Sequence, residues 1–272
     1  MPTIFGLKNR KLLKVQHNMH LGDVSHLMHF LRKFVALNNV DVELCFSEKY
    51  NKEITLQNDS PRIHLVNQSS SAAHNFTDLW KKYKELGYPN VPKTDPNIFK
   101  AYNEMYVYFF QFVCQKLGYN CPINKPEDML FDNPGILTPT PLSQEWDYLL
   151  INSFPLSGQV NGTEQEMDAI FDEKIAKLRA LGKSIVTTKK ITGIPCTRDH
   201  DLSLLGIANI SINAKNIVGI NTAPYLMCFN IWNIDKVQRW VHYNDRHLYR
   251  YNNRITNVFT KEEFAAVNLA LQ

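Results

Sequence analysis

The sequence lacks any apolar stretch long enough to cross a membrane, which takes about 20 consecutive apolar residues. Its most apolar long segment, residues 105–113, is aromatic and stands between polar residues such as Asn103, Glu104 and Gln115. The N-terminus also lacks the long apolar core of a signal peptide. We therefore expect a cytoplasmic protein without a transmembrane segment, and peripheral contact with a membrane surface stays open.

Cysteine is scarce, and its spacing matches neither a metal site nor a disulfide framework. The five cysteines are scattered, without a CxxC pair or a Cys and His set at zinc-ligand spacing. His17, His20, His26 and His29 cluster, but no carboxylate lies at zinc-like spacing around them. These absences predict a reduced chain without a bound metal.

The chain also has little excess charge of either sign. Its 30 basic and 26 acidic residues leave a net charge of +4, and no basic run is interleaved with aromatic residues. Nucleic-acid binding is therefore not predicted, whereas an anionic small ligand such as a nucleotide suits the small positive excess. The GxGxxG, GxxxxGK[ST], GxSxG and HExxH signatures are absent, as are paired carboxylates flanking a loop. No cofactor is predicted.

What the sequence does contain is an alternation of strand-like and helix-like apolar patterns through both halves. This alternation predicts an α/β fold in which helices cover the faces of parallel sheets. Five of the 13 prolines fall within residues 119–144, which we interpret as a linker. We predict two α/β domains, residues 1–144 and 145–272, facing a central cleft where ligands bind.

Local patterns predict several further elements. Residues 97–117 predict a long aromatic helix that ends at Gly118. Residues 248–251 and 255–259 flank a polar turn and predict a hairpin or two short strands. Thr260 and Glu263 form a capping box at the start of a final helix.

The first candidate site is the loop after the first predicted strand. Residues 12–15 suit a buried strand, and a helix is expected to begin at Val24 with Asp23 as its N-cap. A carboxylate at this place also lies at the carboxyl end of a parallel sheet, where open α/β folds bind ligands. The local pattern leaves capping and catalysis both open for Asp23. The neighbouring candidates for contact with a substrate are His20, Gly22 and His26.

The second candidate site follows a predicted strand at residues 216–220. That strand leads into an apolar helix predicted at residues 225–231, whose first N–H groups and dipole would suit a pyrophosphate. The alternative is a plain strand-to-helix connection with Thr222 as N-cap. Further candidates follow the two preceding strands: Ser153, Ser157, Gly158, Thr187, Thr188, Lys189 and Lys190. The two lysines are equally expected as a solvated surface pair.

Together, these segments resemble motifs of the ADP-heptose lipopolysaccharide heptosyltransferases, which are glycosyltransferases of the GT-B type. Residues 22–27, GDVSHL, resemble the early G-D-V-x-H-x loop of that family. Residues 203–208 and 218–224 resemble a later segment, in which a helix and a strand lead to a D-[ST]-G-P-like turn. The resemblance covers the overall layout and two motifs of a few residues each.

The resemblance implies two Rossmann-like domains and a transfer of a hexosyl, pentosyl or heptosyl group from a nucleotide-sugar donor to a saccharide or glycan acceptor. Asp23 would be the general base that deprotonates the acceptor hydroxyl as it attacks the anomeric carbon. The donor diphosphate would be held by Asn221, Thr222 and Ala223. Helix N–H groups, with Lys189 or Arg198, would stabilise the leaving nucleotide without an obligatory metal.

Some residues depart from the family pattern, and alternatives stay open. Asn221 and Ala223 stand where the family has Asp and Gly, and Leu226 lies near the place of a family histidine. The donor sugar, its nucleotide, the acceptor and the stereochemical outcome are therefore not predicted. A nucleotide-sugar epimerase and a non-catalytic nucleotide- or sugar-binding protein are the other two functions considered.

Overall fold

The computed structural model describes residues 10–17, 19–66, 74–95, 97–155 and 160–270. The chain divides into two compact units. The first unit takes in the described residues up to Val91 together with Val107–Asn124, and the second takes in Pro92–Tyr106 and the described residues from Lys125 onward. Residues 125–144 of the predicted linker lie in the second unit, and the domain boundary itself stays a prediction.

The first unit contains a four-stranded parallel sheet. Its strands are β1 (Lys11–His17), β2 (Val40–Phe46), β3 (Ile63–Val66) and β4 (His74–Asn75). They lie in the order β3-β2-β1-β4, and every neighbouring pair is parallel. Val15, Val42 and Leu44 are fully buried, because both faces of a parallel sheet are covered by helices.

An aromatic core packs the helices of this unit. The helices are α1 (Leu21–Leu37), α2 (Asn51–Gln57), α3 (Phe76–Glu85) and the part of α4 (Tyr102–Leu117) from Val107 onward. Phe30 of α1 stacks on Phe110 of α4 with ring centroids 4.2 Å apart. The long aromatic helix is thus confirmed, although it begins at Tyr102, after a separate turn of 3-10 helix at Ile98–Lys100. Among the described helices, none combines the length and apolar character needed to cross a bilayer.

The second unit contains a five-stranded parallel sheet. Its strands are β5 (Trp146–Ile151), β6 (Ile185–Thr187), β7 (Ala214–Ile220), β8 (Arg239–Tyr243) and β9 (Ile255–Val258). Its helices include α5 (Glu164–Ala180), α6 (Leu204–Ile212), α7 (Ala223–Met227) and α8 (Lys261–Ala266). The strand order β6-β5-β7-β8-β9 reverses direction between β5 and β7. In open α/β sheets such a reversal is where ligands bind, outside the carboxyl ends of the strands.

The C-terminal strands differ from the prediction. Of the two segments predicted as strands, only the second forms, as β9, and it pairs in parallel with β8 rather than as half of a hairpin. In the first segment, Leu248 makes only an isolated bridge to Ala101. The side chain of Asn252 donates to the carbonyl of Ile234 at 2.8 Å, which ties the polar turn to the loop before β8. The capping box at Thr260 and Glu263 is confirmed at the start of α8.

Helix α7 is shorter than predicted and ends at Met227. The carbonyl of Cys228 accepts hydrogen bonds from the buried side chains of Asn230 (3.2 Å) and Asn233 (2.8 Å). These amides replace the helical hydrogen bonds that would have continued α7. The predicted apolar helix at residues 225–231 is therefore wrong in its second half.

Gly219 allows β5 and β7 to approach each other at the reversal of strand order. A Cβ atom on Gly219 would lie 2.5 Å from the Cβ and 2.7 Å from the carbonyl oxygen of Ile151, its partner on β5. We expect Gly219→Ala to lower the free energy of unfolding by about 2–3 kcal/mol, because overpacking forces the strands apart. Urea denaturation measures this loss. Gly206→Ala in α6 is the control and is expected to cost less, because its closest contact, the Cβ of Leu202 at 3.3 Å, requires a much smaller shift and because alanine is favoured over glycine within a helix.

Candidate functional site

Asp23 lies inside the first turn of α1 and not at its N-cap. The helix begins at Leu21, so His20 is the N-cap, and the predicted helix start at Val24 is wrong by one turn. The Oδ2 atom of Asp23 accepts a hydrogen bond from the backbone N–H of His20 at 3.2 Å. An acidic residue three positions into a helix can cap it by reaching back in this way. This explains why the predicted helix start lies three residues too late. Gly22 consequently lies in the helix and not in an open loop.

Two buried histidines lie close enough to Asp23 to interact with its charge. His17 ends β1 and is 6% exposed, His26 is completely buried, and Asp23 is 8% exposed. Burial lowers the pKa of His17 to about 4 and that of His26 to about 3, and in both cases the nearby Asp23 opposes the shift. Both imidazoles are therefore neutral at pH 7. The Nδ1 atom of His17 accepts from the N–H of Met19 at 3.2 Å, which leaves its proton on Nε2.

The sequence-predicted substrate residues around Asp23 differ in accessibility. His20 is exposed and Gly22 is half-buried, whereas His26 presents no surface to solvent. His17 was missed by sequence reasoning, because a histidine at the end of an apolar strand carries no motif of its own. Its signal was its position immediately before the candidate loop.

In the second unit, Asn152 organises the loops that follow β5 and β6. Its Oδ1 atom accepts from the backbone N–H groups of Thr188 (3.0 Å) and Lys189 (2.7 Å). Its own backbone N–H donates to Oγ1 of Thr188 at 3.1 Å, and that oxygen also accepts from the hydroxyl of Ser153 at 3.0 Å. Of the predicted donor residues, the structure thus brings Ser153, Thr188 and Lys189 together. Asn152, which joins them, was not among the predicted residues.

Removing the Asn152 side chain is expected to loosen this edge of the sheet. Asn152→Ala leaves the N–H of Lys189 without its acceptor, whereas the N–H of Thr188 keeps the carbonyl of Leu150 at 3.1 Å. We expect a loss of about 1–3 kcal/mol in the free energy of unfolding by urea denaturation, the usual cost of one lost acceptor. Asn152→Asp keeps an acceptor oxygen and should retain most of the stability. Equal losses in the two variants would contradict the role assigned to Oδ1.

Lys189 is already paired with two carboxylates. Its Nζ atom lies 2.7 Å from Glu164 and 2.6 Å from Asp168. Burial acts against its charge, but these two hydrogen bonds outweigh that effect and raise the pKa of Lys189. A cavity of about 330 Å³ adjoins this pair and is lined by Asn152, Asp168, Phe171, Asp172, Lys189, Lys190, Ile191 and Thr192. A phosphate at Lys189 would therefore have to compete with two acids.

The other predicted residues of these loops are placed apart from this cluster. Thr187 is fully buried and its hydroxyl donates to the carbonyl of Pro195 at 3.4 Å. Lys190 is exposed and forms an ion pair with Asp199 at 2.9 Å, as expected of a solvated surface lysine. Arg198 is exposed within a short 3-10 helix. The predicted residues Ser157 and Gly158 lie outside the described residues.

The turn after β7 forms as a strand-to-helix junction. Thr222 is the N-cap of α7, as the plain alternative predicted, but its hydroxyl donates back to the carbonyl of Ile220 at 3.3 Å. The N–H of Asn221 donates to the carbonyl of Tyr243 at 3.0 Å. Ala223 begins a helix of five residues, so the dipole at this turn is small. Binding of a diphosphate here stays a prediction.

Within the described ranges, no group of three or more His, Cys, Asp or Glu side chains is arranged to hold a metal ion. The predicted independence of metal is not tested by this finding. It remains an expectation about the reaction.

The comparisons with known proteins identify structural relatives only. No family model matches the sequence, and no curated protein matches it. The heptosyltransferase WaaC of E. coli, solved with ADP-2-deoxy-2-fluoro heptose, superposes with a TM-score of 0.50 at 12% identity, over 90% of this chain and 93% of WaaC. The dodecameric iron-containing heptosyltransferase TibC, solved with ADP-D-beta-D-heptose, has a TM-score of 0.50 at 14% identity, over 92% of this chain and 63% of TibC. At such identities the likeness concerns the fold, and it confirms the distant resemblance predicted from the two motifs: the chain has the α/β, GT-B-type fold of the heptosyltransferases.

Proposed function

We propose that the protein is a glycosyltransferase that moves a sugar from a nucleotide-sugar donor to a saccharide hydroxyl, with Asp23 as general base. The observation that carries this proposal is the position of Asp23, nearly buried beside His17 and His26 after the first strand of a heptosyltransferase-like fold. The neighbours WaaC and TibC were solved with ADP-linked heptoses, which supports a nucleotide-sugar as the donor class.

In the proposed reaction, the acceptor hydroxyl gives its proton to the carboxylate of Asp23. The acceptor oxygen attacks the anomeric carbon of the donor sugar, and the bond from that carbon to the nucleoside diphosphate breaks. The electron pair of the broken bond leaves on the phosphate oxygen. A base must lie within hydrogen-bond reach of the hydroxyl that it activates, about 3 Å.

The two neutral histidines support a basic role for Asp23. Because burial holds the pKa of His17 at about 4 and that of His26 at about 3, neither ring is a cation at neutral pH. A cationic neighbour would stabilise the charged carboxylate and weaken it as a base. His20, which is exposed, is the proposed acceptor contact, and the buried His26 is proposed to support Asp23 from within the core.

The donor is proposed to bind at the carboxyl ends of β5, β6 and β7. The proposed contacts remain Ser153, Ser157, Thr187, Thr188, Lys189, Arg198, Asn221, Thr222 and Ala223. Among them, Arg198 is the better cation for the leaving diphosphate, because it is exposed, whereas Lys189 is paired with two carboxylates. The second candidate function is a non-catalytic protein that binds a nucleotide or sugar, and the pairing of Lys189 supports it only in so far as it leaves one cation fewer for a leaving diphosphate.

A panel of nucleotides separates these candidates. ADP, UDP, GDP and a sugar conjugate of each are added to the protein, and the melting temperature is measured. A ligand at 100 times its Kd stabilises the folded state by about 2.7 kcal/mol, so a binding nucleotide is expected to raise the melting temperature by several degrees. Release of free nucleoside diphosphate in the presence of an oligosaccharide panel then supports transfer. Binding without release supports the non-catalytic function, and no shift with any nucleotide or nucleotide-sugar overturns the transferase and the nucleotide-binding protein alike.

A further inference from the structure

Two thiols lie next to each other where helix α4 ends. Cys114 is in the last turn of α4, and Cys121 follows it by seven positions, in the loop after the helix. Both are thiols in the structure, and their side chains form a hydrogen bond with each other. The Sγ of Cys121 donates its own proton to the carbonyl of Ile123 at 3.2 Å. Because a thiol has one proton to donate, Cys114 is the donor to Cys121, so the two sulfur atoms face each other.

The backbone at the end of α4 brings the loop back over the last helical turn. Gly118 has a φ of +72°, a left-handed conformation that glycine adopts readily. The N–H of Tyr119 donates to the carbonyl of Cys114 at 3.0 Å, and the N–H of Gly118 donates to the carbonyl of Gln115 at 3.4 Å. These two hydrogen bonds form a Schellman motif, which reverses the chain at a helix end. The meeting of the two thiols therefore follows from a defined backbone turn.

The two thiols differ in their access to solvent. Cys114 is 1% exposed, whereas Cys121 is half-buried. The hydrogen bond with Cys121 and burial both raise the pKa of the Cys114 thiol, and the thiolate is the form that attacks a disulfide. A reagent from solution therefore meets Cys121 first, and Cys114 is placed to attack second. The other three cysteines, Cys45, Cys196 and Cys228, are all buried.

The loop between the two cysteines supports the C-terminal end of α1. The side chain of Asn38, the C-cap of α1, accepts from the N–H of Asn120 at 3.2 Å and donates to its carbonyl at 3.0 Å. The ring of Tyr119 packs edge-on against Phe34 of α1 with centroids 5.3 Å apart. A covalent bond across this loop would therefore restrain the residues against which α1 ends.

We propose that Cys114 and Cys121 form a reversible disulfide by exchange with a small disulfide such as oxidised glutathione, and that this bond fastens the loop that holds the end of α1. The inference is independent of the proposed function. The Cys121 thiol loses its proton and attacks one sulfur of oxidised glutathione, and the first glutathione leaves as a thiolate. The Sγ of Cys114 then loses its proton and attacks the Sγ of Cys121, and the second glutathione leaves. Two protein thiols are oxidised by two electrons in total, and one glutathione disulfide is reduced to two thiols, which take up the two protons.

Incubation of the unaltered, folded protein with oxidised glutathione tests this bond. Peptide mass analysis is expected to show the loss of two thiols per chain, one crosslink between Cys114 and Cys121, and no glutathione left on the protein. The melting temperature should rise by about 5 °C, because a crosslink restricts the unfolded chain, and dithiothreitol should reverse this rise. Glutathione that stays on Cys121, a crosslink between other cysteines, or thiols that do not react in the folded protein would each overturn the proposal.

Two variants and a matched control separate the roles of the thiols. In Cys114→Ala the mixed disulfide on Cys121 has no second thiol to resolve it, so one glutathione per chain should remain. In Cys121→Ser no adduct should form, because Cys114 is buried. This change at a half-buried position also keeps the test decisive if Cys114→Ala does not fold. Cys45→Ala removes another buried thiol of the same unit and should leave the crosslink unchanged. Equal glutathione content in Cys114→Ala and the unaltered protein would overturn the resolving role of Cys114.

Hydrogen exchange measured by mass spectrometry tests the connection to α1. Oxidation is expected to slow exchange several-fold in peptides that contain residues 34–38 and 118–121, because local opening of the loop becomes rarer. A peptide from α5, in the second unit, should exchange at the same rate in both forms. If the crosslink forms but exchange at residues 34–38 does not change, the bond does not act on α1 and that part of the proposal is overturned.

Discussion

Asp23→Asn is expected to lower the rate of sugar transfer by about 100- to 10,000-fold, the usual contribution of a general base. The amide cannot take the proton of the acceptor hydroxyl, whereas its oxygen can still accept the hydrogen bond that Asp23 receives from the N–H of His20. The first turn of α1 should therefore stay intact. The dissociation constant of the donor is expected to change less than about twofold, since the proton transfer belongs to the transition state. Steady-state kinetics with a donor and an acceptor taken from the panels provide the measurement.

Glu263→Gln is the matched control for Asp23→Asn. Glu263 occupies the same third position in α8, and its Oε2 accepts from the N–H of Thr260 at 3.2 Å. The control makes the same chemical change in the same local structure, so it separates capping from catalysis. Transfer at an unaltered rate in Asp23→Asn would leave Asp23 as a helix cap only, and the proposed mechanism would fail.

Acidification from pH 7 to pH 5 is expected to lower the free energy of unfolding by about 2 kcal/mol for each of three buried histidines. Burial lowers the pKa of His17 to about 4 and those of His26 and His242 to about 3. The unfolded chain takes up these protons below about pH 6.5, whereas the folded chain does not until the lower values are reached. Stability is therefore full above pH 6.5 and falls as the pH approaches 4. The combined loss of about 6 kcal/mol is comparable to the total stability of a domain, about 5–15 kcal/mol.

Urea denaturation at pH 7 and pH 5 tests this dependence. In His17→Gln the difference between the two pH values should shrink by about 2 kcal/mol, because one titrating group is lost. Glutamine can still accept the hydrogen bond from Met19. His200→Gln replaces an exposed histidine and is expected to leave the difference unchanged. An unchanged difference in His17→Gln would mean that the folded protein takes up this proton over the same pH range as the unfolded chain.

The parallel α/β architecture could be predicted because its signals are local. The burial pattern of β2, which alternates over its first half, and the capping box at Thr260 and Glu263 are each carried by neighbouring residues. The two short motifs likewise predicted the heptosyltransferase fold, which the superposition on WaaC confirms. Such patterns depend on the period of the backbone and need no knowledge of distant contacts.

β8 and the start of α1 could not be predicted correctly from the same patterns. β8 contains Arg239 and His242 among its five residues, and His242 is fully buried with Tyr225 and Tyr249 packed against it. Asp23 is of a residue type preferred at the N-cap, but it caps the helix from the third helical position. In both cases the type of the polar residue predicts one role, and its neighbours in the folded structure give it another.

The sequence by itself determined the alternation of strands and helices, the carboxylate near the end of β1 and the polar turn after β7. The tertiary structure alone decided which polar groups were already bonded: Lys189 is held by Glu164 and Asp168, and the backbone N–H groups after β6 are held by Asn152. It also placed Tyr249 against Asn221, 28 residues away. The physical reason is that strand and helix periods are set within a few neighbouring residues, whereas burial and hydrogen-bond partners depend on residues far apart in the chain.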